Sequence, residues 1–377
     1  MIHKGIICLL LSLLTFRSYA FSLGDGLPEF QLGGALRFSY NYSNWNDGHK
    51  HRGGDFGYDV LLFHLRGSYK KILMDADFRF YSKDFGGAML KYGWIGYQVN
   101  ERSQLQLGLT RVPFGIQPYT AHNFLFQISY YVGLEDDSDM GVKYVYEGEH
   151  WDFAAAIFKN ADELLFSATA ETSNDRYGYD VAGRNKEVNQ GNAQFFYKWG
   201  TSVYQKIGAS AQFGGLYNLD TKKNGTRYAF AVHHELYWKG LSVKTQIATY
   251  SMSPKNAAGQ SSDTIVMTAY GAPYGVASKA NIYTIGVGYK IPVKWGPISS
   301  IQFYNDFGCL QKWKKEFNDS YQNVTGCLLT AGPVWVYIDY ALGKHQAWLG
   351  PDWEAFGAGT GSNKWNARFN VNVGYYF

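Results

Sequence analysis

Arg37 stands between Leu36 and Phe38, Arg79 between Phe78 and Phe80, Lys143 between Val142 and Tyr144, and Arg368 between Ala367 and Phe369. In an extended chain each side chain points away from both of its neighbours, so these cations share a polar face backed by an apolar one. Arg66, Arg227 and Lys244 fall in the same phase, with His64 beside them. A row of guanidinium groups suits phosphate and carboxylate oxygens, because the planar fork donates two parallel hydrogen bonds. The matching anionic group is the run Glu135, Asp136, Asp137 and Asp139. Opposed rows of charge across a narrow gap create a transverse field that orients ions and sets their preference. The polar face also carries Asp75, Asp77, Asp152, Glu235, Asp306 and Asp339. Some of the cations are therefore expected simply to pair, Arg79 with Asp75 or Asp77 among them.

Other chemistries find little support. His233-His234 is the only adjacent histidine pair, and in a strand its rings point to opposite faces, so they cannot ligate one metal. No glycine-rich loop ending in Lys-Ser/Thr is present to cradle a phosphate. A rim-mounted Ser and His pair would be needed for a lipase or protease. The expectation is a protein without catalytic residues, cofactor or metal. The acidic run offers an alternative as a Ca²⁺ site, since that ion takes roughly six to eight oxygen ligands. It lacks the EF-hand spacing, and anchoring by basic side chains is the preferred reading. Cys309 and Cys327 are expected to flank one loop and to bridge it in an oxidising compartment, worth about 3 kcal/mol.

The elements that must position these groups are strands. Trp365–Phe377 reads WNARFNVNVGYYF, with Ala367, Phe369, Val371, Val373, Tyr375 and Phe377 on one face and Asn366, Arg368, Asn370, Asn372 and Gly374 on the other. That is period-two alternation over a membrane-crossing strand, which needs about 9–11 tilted residues. Similar segments recur from Glu29 onward, roughly sixteen in all, an even number as single-chain bacterial barrels have. Long and short links alternate between them, as external loops and periplasmic turns do. Lys239-Gly240 and Gly332-Pro333 are short; residues 111–138, 159–191 and 343–364 are long. The content of 43 glycines and 18% aromatic residues agrees with a barrel girdled by aromatic rings. The fold class is thus all-β, an antiparallel transmembrane barrel.

At the start, Lys4, the apolar run Ile6–Leu14 and Ser18-Tyr19-Ala20 have the pattern of a cleaved export signal over residues 1–20. The apolar run is too short to span a bilayer, which takes about 20 residues. Residues 21–377 then form one barrel, exported to the outer membrane of a diderm bacterium. Removing Lys4 and Arg17 from 35 bases against 31 acids leaves a net charge of +2, without the dense basic face that nucleic acid requires. The expected surroundings are outer-membrane lipid and small hydrophilic solutes.

Two stretches go beyond architecture. Leu105–Gly115 reads LQLGLTRVPFG, and Asp139–Val142 reads DMGV at the head of the next strand. A strand closing on Gly-x-x-(Lys/Arg)-x-Pro-Phe-Gly, a long loop and then Asp-(Ile/Met)-Gly-Val resembles the phosphate-selective porin O and P family. The segments FHLRGSYKKILMDADFRF and LKYGWIGYQV are similar to the same region of that family, and the resemblance spans about residues 30–160. Arg111 stands where many relatives carry Lys. The resemblance implies a homotrimeric diffusion channel whose third external loop, here 111–138, folds into the lumen, and a preference for anions. Pro113, Gly115 and Pro118 can turn that loop inward, and Phe124–Tyr131 can pack on the inner wall. Arg37, Arg66, Arg79, Arg111, Lys143 and Arg368 become candidate anion-binding residues of the pore. The alternatives are a sugar or nucleoside channel, with Trp45, Trp348 and Trp353 stacking on rings, and a non-conducting structural or adhesion barrel.

Overall fold

Sixteen alternating segments pair into one closed antiparallel barrel in the computed structural model, which describes residues 19–22, 27–162 and 176–377. The first four strands are β1 (Glu29–Ser43), β2 (Asp55–Tyr69), β3 (Ile72–Phe80) and β4 (Ala88–Asn100). Next come β5 (Ser103–Arg111), β6 (Ser138–Glu147), β7 (Trp151–Asn160) and β8 (Asn185–Trp199). The second half begins with β9 (Val203–Asn218), β10 (Asn224–Trp238), β11 (Leu241–Ser253) and β12 (Lys279–Trp295). It ends with β13 (Ile298–Lys312), β14 (Ser320–Ala331), β15 (Val334–Lys344) and β16 (Asn366–Tyr376). Each strand pairs with the next, and β16 returns to β1 in the register Ala35↔Tyr376 to Ser43↔Arg368. Phe377 adds a last pair of backbone bonds to Gly34.

The faces follow the alternation. Leu36, Ile95, Leu107, Ile157, Ile207, Val232, Ile247 and Ile285 point outward and are exposed, Ile157 by 75%. Such exposure is an apolar belt for lipid, with aromatic rings at its edges. Tyr69, Tyr97, Trp151, Trp238, Tyr289, Trp295 and Tyr375 lie at the end of the short turns. Phe56, Tyr58, Phe80, Tyr340 and Phe369 lie at the other end.

The long loops cross or cap the lumen. A one-turn helix, Asp47–Arg52, occupies the first, with Asn46 as its N-cap. The sixth holds a hairpin, Thr264–Ala269 with Ala272–Ala277, which also pairs with Asp180–Val181 of the fourth. Neither leaves a periodic trace in the sequence, because each is short and flanked by irregular chain. The third loop, residues 112–137, lies inside the barrel and is almost wholly buried. Ile128 and Gln127 are at 0% exposure, and Tyr130–Val132 form a single 3-10 turn. Most of the expected signal segment, residues 1–18, lies outside the described residues. Tyr19–Ser22 pair with Glu29–Leu32, so the expected cut after Ala20 falls within this short strand.

One expectation is overturned. Cys309 and Cys327 are free and do not flank a loop. Strand β13 runs on to Lys312 and β14 starts at Ser320, so both cysteines are inside strands. Cys309 is opposite Tyr321, whereas Cys327 is opposite Phe303. Six residues along a strand separate them by about 20 Å, far beyond the roughly 7 Å that a disulfide tolerates between Cα atoms. The unreduced, denatured chain is therefore expected to take up thiol-alkylating reagent at both cysteines. A mass unchanged until reductant is added would contradict this register.

Candidate functional site

Strand phase puts the predicted polar face inward. His64, Asp77, Arg79, Lys143, Arg227, Glu235, Asp306 and Asp339 are each less than a tenth exposed, shielded by the wall and the inserted loop. The loop is held by the far wall through its backbone. Ser210 Oγ accepts from Gly115 N at 3.0 Å, and Gln246 Oε1 accepts from Ile116 N at 3.0 Å. Asp306 Oδ2 accepts from His122 N at 2.8 Å and from Asn123 N at 3.0 Å. Lys244 Nζ donates to the Tyr119 carbonyl at 2.8 Å, and Gln322 Nε2 donates to the Phe126 carbonyl at 2.8 Å. A loop buried in this way needs partners for its peptide groups, and the far-wall side chains supply them.

The opposed rows expected from the sequence are replaced by pairs. Arg37 Nε is 2.8 Å from Asp59 Oδ2, with its guanidinium over Phe124 at 5.2 Å. Arg66 meets Asp75 at 3.5 Å, and Asp75 also meets His64 Nε2 at 2.6 Å. Arg79 meets Asp77 at 2.9 Å and lies over Tyr177 at 4.8 Å. Arg368 donates to Ser43 Oγ at 3.3 Å and lies over Trp45 at 5.5 Å near the external rim. Lys143 donates to the Arg111 carbonyl at 2.9 Å. Neither Arg368 nor Lys143 forms an ion pair with a carboxylate among the described residues.

The loop acids divide by role. Asp136 binds Lys91 Nζ at 2.5 Å and Arg111 Nη2 at 3.2 Å, and accepts from the hydroxyls of Tyr119 and Tyr177 at 2.9 and 3.1 Å. Burial alone would raise its carboxyl, but Lys91 and Arg111 hold it below the ordinary value. Glu135 is an internal staple, accepting from Ser129 Oγ at 2.6 Å and from Thr120 N and Oγ1 at 3.1 and 2.6 Å. Burial pushes its carboxyl up to about 7 despite these donors. Asp137 and Asp139 turn away from the basic wall, toward Asp180.

Asp59 and Lys91 were not on the candidate face, because strict alternation sends them to lipid. Two β-bulges bring them in. Arg37 pairs with Val60 but Phe38 with Tyr58, which leaves Asp59 as the extra residue. Asp77 pairs with Tyr92 but Phe78 with Leu90, which leaves Lys91 as the extra residue. A bulge re-aims a side chain in this way. The available signal was a charge at a lipid-phase position, which costs about 2–4 kcal/mol for Arg or Lys at the bilayer midplane. The aromatics proposed for ring stacking fare differently. Trp348 packs among Tyr131, Tyr179 and Tyr274, while Trp353 remains 47% exposed.

No family model matches the chain, and no curated protein sequence does. Solved structures match in fold. OmpT, an outer membrane protein of Vibrio cholerae, is 13% identical with a TM-score of 0.58, over 93% of this chain and 99% of that one. An anion-selective porin from Comamonas acidovorans is 11% identical with a TM-score of 0.60, over 93% and 100%. The outer membrane channel DcaP of Acinetobacter baumannii is 11% identical with a TM-score of 0.59, over 95% and 99%. The chain thus has the fold of outer-membrane porins. The expectation that it is not an enzyme is withdrawn. OmpT of Vibrio cholerae stands beside the porins among the matches at 11–13% identity, a level that carries fold alone and leaves catalysis undecided.

Breaking the Asp136 cluster strands the buried Lys91 and leaves Arg111 without its carboxylate, a loss of about 3 kcal/mol. Asp136→Asn is expected to lower the thermal unfolding midpoint and to raise single-channel current noise. An unchanged midpoint and a quiet trace would show that the cluster does not hold the loop. Glu135 titrates in the opposite sense. A carboxyl raised in the folded state favours the loop below the unfolded value of 4.5, and that contribution is lost as pH rises through about 7. Current noise is expected to increase over this window in the native chain and to stay level in Glu135→Gln.

Proposed function

We propose that this barrel is a water-filled diffusion channel for small hydrophilic solutes with a mild preference for anions. The observation that carries the reading is the charge balance beneath the inserted loop. Asp59, Asp75, Asp77 and Asp136 are each held by a base, while Lys143 stands beside Arg111 with no carboxylate of its own. Arg66 and Arg111 keep side-chain exposures of 57% and 29%, so their charge reaches the lumen. Low-dielectric walls focus such a surplus on passing ions. One structure of the same fold is itself an anion-selective porin.

The motif LQLGLTRVPFG with DMGV adds membership of the phosphate-selective porin O and P family to the proposal, with phosphate as one candidate among small anions. The pore residues of the proposal are Arg37, Arg66, Arg79, Arg111, Lys143 and Arg368. Trimeric assembly belongs to it too, since OmpT of Vibrio cholerae is described in a trimer form. So does export by a cleaved signal over residues 1–20, which the charged start and apolar run support.

Reversal potentials in planar bilayers under a KCl gradient test the reading. The native channel is expected to favour chloride, and Arg66→Gln with Lys143→Gln to lower the anion-to-cation ratio by about threefold at low salt, less at high salt. Absence of conductance would overturn the channel, and a cation preference in the native chain would overturn the anion reading. Inorganic phosphate that blocks chloride current no better than sulfate would remove phosphate as a special substrate.

A further inference from the structure

Where the third loop rejoins the wall, carboxylates crowd together without enough cations. Asp137, Asp139 and Asp180 each bring an oxygen within 4.8 Å of the other two, and all three are buried. Asp162 stands beside them, accepting from Gly178 N at 2.9 Å. Oxygens of three of them crowd around Gly178. A Cβ built on Gly178 would lie 2.8 Å from Asp180 Oδ2, 2.9 Å from Asp137 Oδ1 and 3.3 Å from Asp162 Oδ2. Only a glycine leaves that space open.

Two guanidinium groups approach this centre. Arg176 Nε is 2.9 Å from Asp162 Oδ1 and 3.9 Å from Asp180 Oδ2, and Arg227 pairs with Glu187. Lys91 and Arg111 are engaged by Asp136. Counting Glu187, five buried carboxylates stand around these two arginines. Residues 163–175 offer no Lys, Arg or His to redress this. Independently of the count, among the described residues neither oxygen of Asp180 nor Oδ1 of Asp139 accepts a hydrogen bond, though these residues are 0% and 1% exposed. Orphaned buried carboxylate oxygens are costly unless they meet a cation.

We propose that Asp137, Asp139 and Asp180, with Asp162 alongside, form a binding site for a hard divalent cation of the Ca²⁺ type. The donors are all oxygens, the set that such ions prefer over softer metals. Some of these oxygens also accept hydrogen bonds, Asp139 Oδ2 from Gln190 Nε2 at 2.9 Å and Asp137 Oδ1 from Ser138 N at 2.8 Å, so the flexible shell of Ca²⁺ suits the set better than the strict octahedron of Mg²⁺. The residues come from two stretches of chain. Asp137 ends the constriction loop and Asp139 stands at the start of β6, while Asp162 and Asp180 belong to the fourth loop. Asp180 also pairs through its backbone with Thr268 of the sixth-loop hairpin. The ion would therefore fasten the constriction loop to the external cover, and its removal would loosen both together.

Binding can be read without any ion current, so the test is separate from that of the channel. The full chain, folded in detergent and stripped with EDTA, is titrated with Tb³⁺ while tyrosine is excited, since Tyr177 and Tyr179 flank Gly178. Sensitised emission is expected to saturate and to be displaced by Ca²⁺ more readily than by Mg²⁺. Asp180→Asn and Asp139→Asn should each weaken binding by at least about tenfold, while Asp220→Asn on the exposed ninth-to-tenth strand link should not. Ca²⁺ should also raise the unfolding midpoint of the EDTA-stripped native chain. The proposal is overturned if the native chain gives neither saturable emission nor a Ca²⁺-dependent midpoint. It is equally overturned if both variants bind as tightly as the native chain. Where one variant does not fold, as judged by heat-modifiable gel mobility, the other and Asp137→Asn decide by the same criterion.

Discussion

Hydrocarbon offers no partner to a peptide N–H or C=O, so a sheet placed in it must close on itself. The pairing of β16 with β1, ending in the bonds between Phe377 and Gly34, is that closure. The rest of the molecule follows from it. Closure fixes which side of every strand is inside, and so gathers the charges of sixteen separate segments into one lumen. It also leaves a space wide enough to accept 26 residues of loop, 112–137, whose own peptide groups must then be satisfied by the wall.

The lumen that results is organised by pairing rather than by facing rows. Arg37 and Arg79 are paired on their own side, Arg66 shares Asp75 with His64, and two acids of the loop, Glu135 and Asp136, are consumed by its anchoring. Two bulges make this arrangement, by turning Asp59 and Lys91 inward where regular pleating would expose them to lipid. A break in strand regularity is thus the device that sets local charge balance. The positive charge left after pairing lies at Arg66, Arg111 and Lys143.

Much of the fold could be read from the chain. Alternation through Trp365–Phe377 and the unequal links fixed strand number and the inward face, because both arise from the period of the pleat and the two sides of a membrane. The site was legible only in part. His64, Asp306 and Asp339 came out correctly oriented, since phase alone decides orientation. Asp59 and Lys91 were missed, since a bulge breaks phase. The cysteine pair was misjudged because β13 and β14 extend past the apparent ends of their alternation, which moved both cysteines off the loop. Asp162 and Asp180 were invisible as partners of Asp137, because loop-to-loop packing leaves no periodic trace.

The anchors of the inserted loop have a consequence for assembly. His122 and Asn123 are bound by Asp306, and Phe126 by Gln322, contacts that span 184, 183 and 196 residues of chain. Long separations of this kind form late, after much loop-closure entropy has been lost. The segment that narrows the lumen is made early in the chain, and β9 and β11 hold its first half, yet His122, Asn123 and Phe126 have no wall partner until β13 and β14 arrive. A partly assembled sheet is consequently wide and unobstructed, and constriction coincides with the final sealing of the seam. Biogenesis machinery that holds the seam open would therefore hold an unnarrowed passage, and release of the finished barrel would be the moment at which permeability is set.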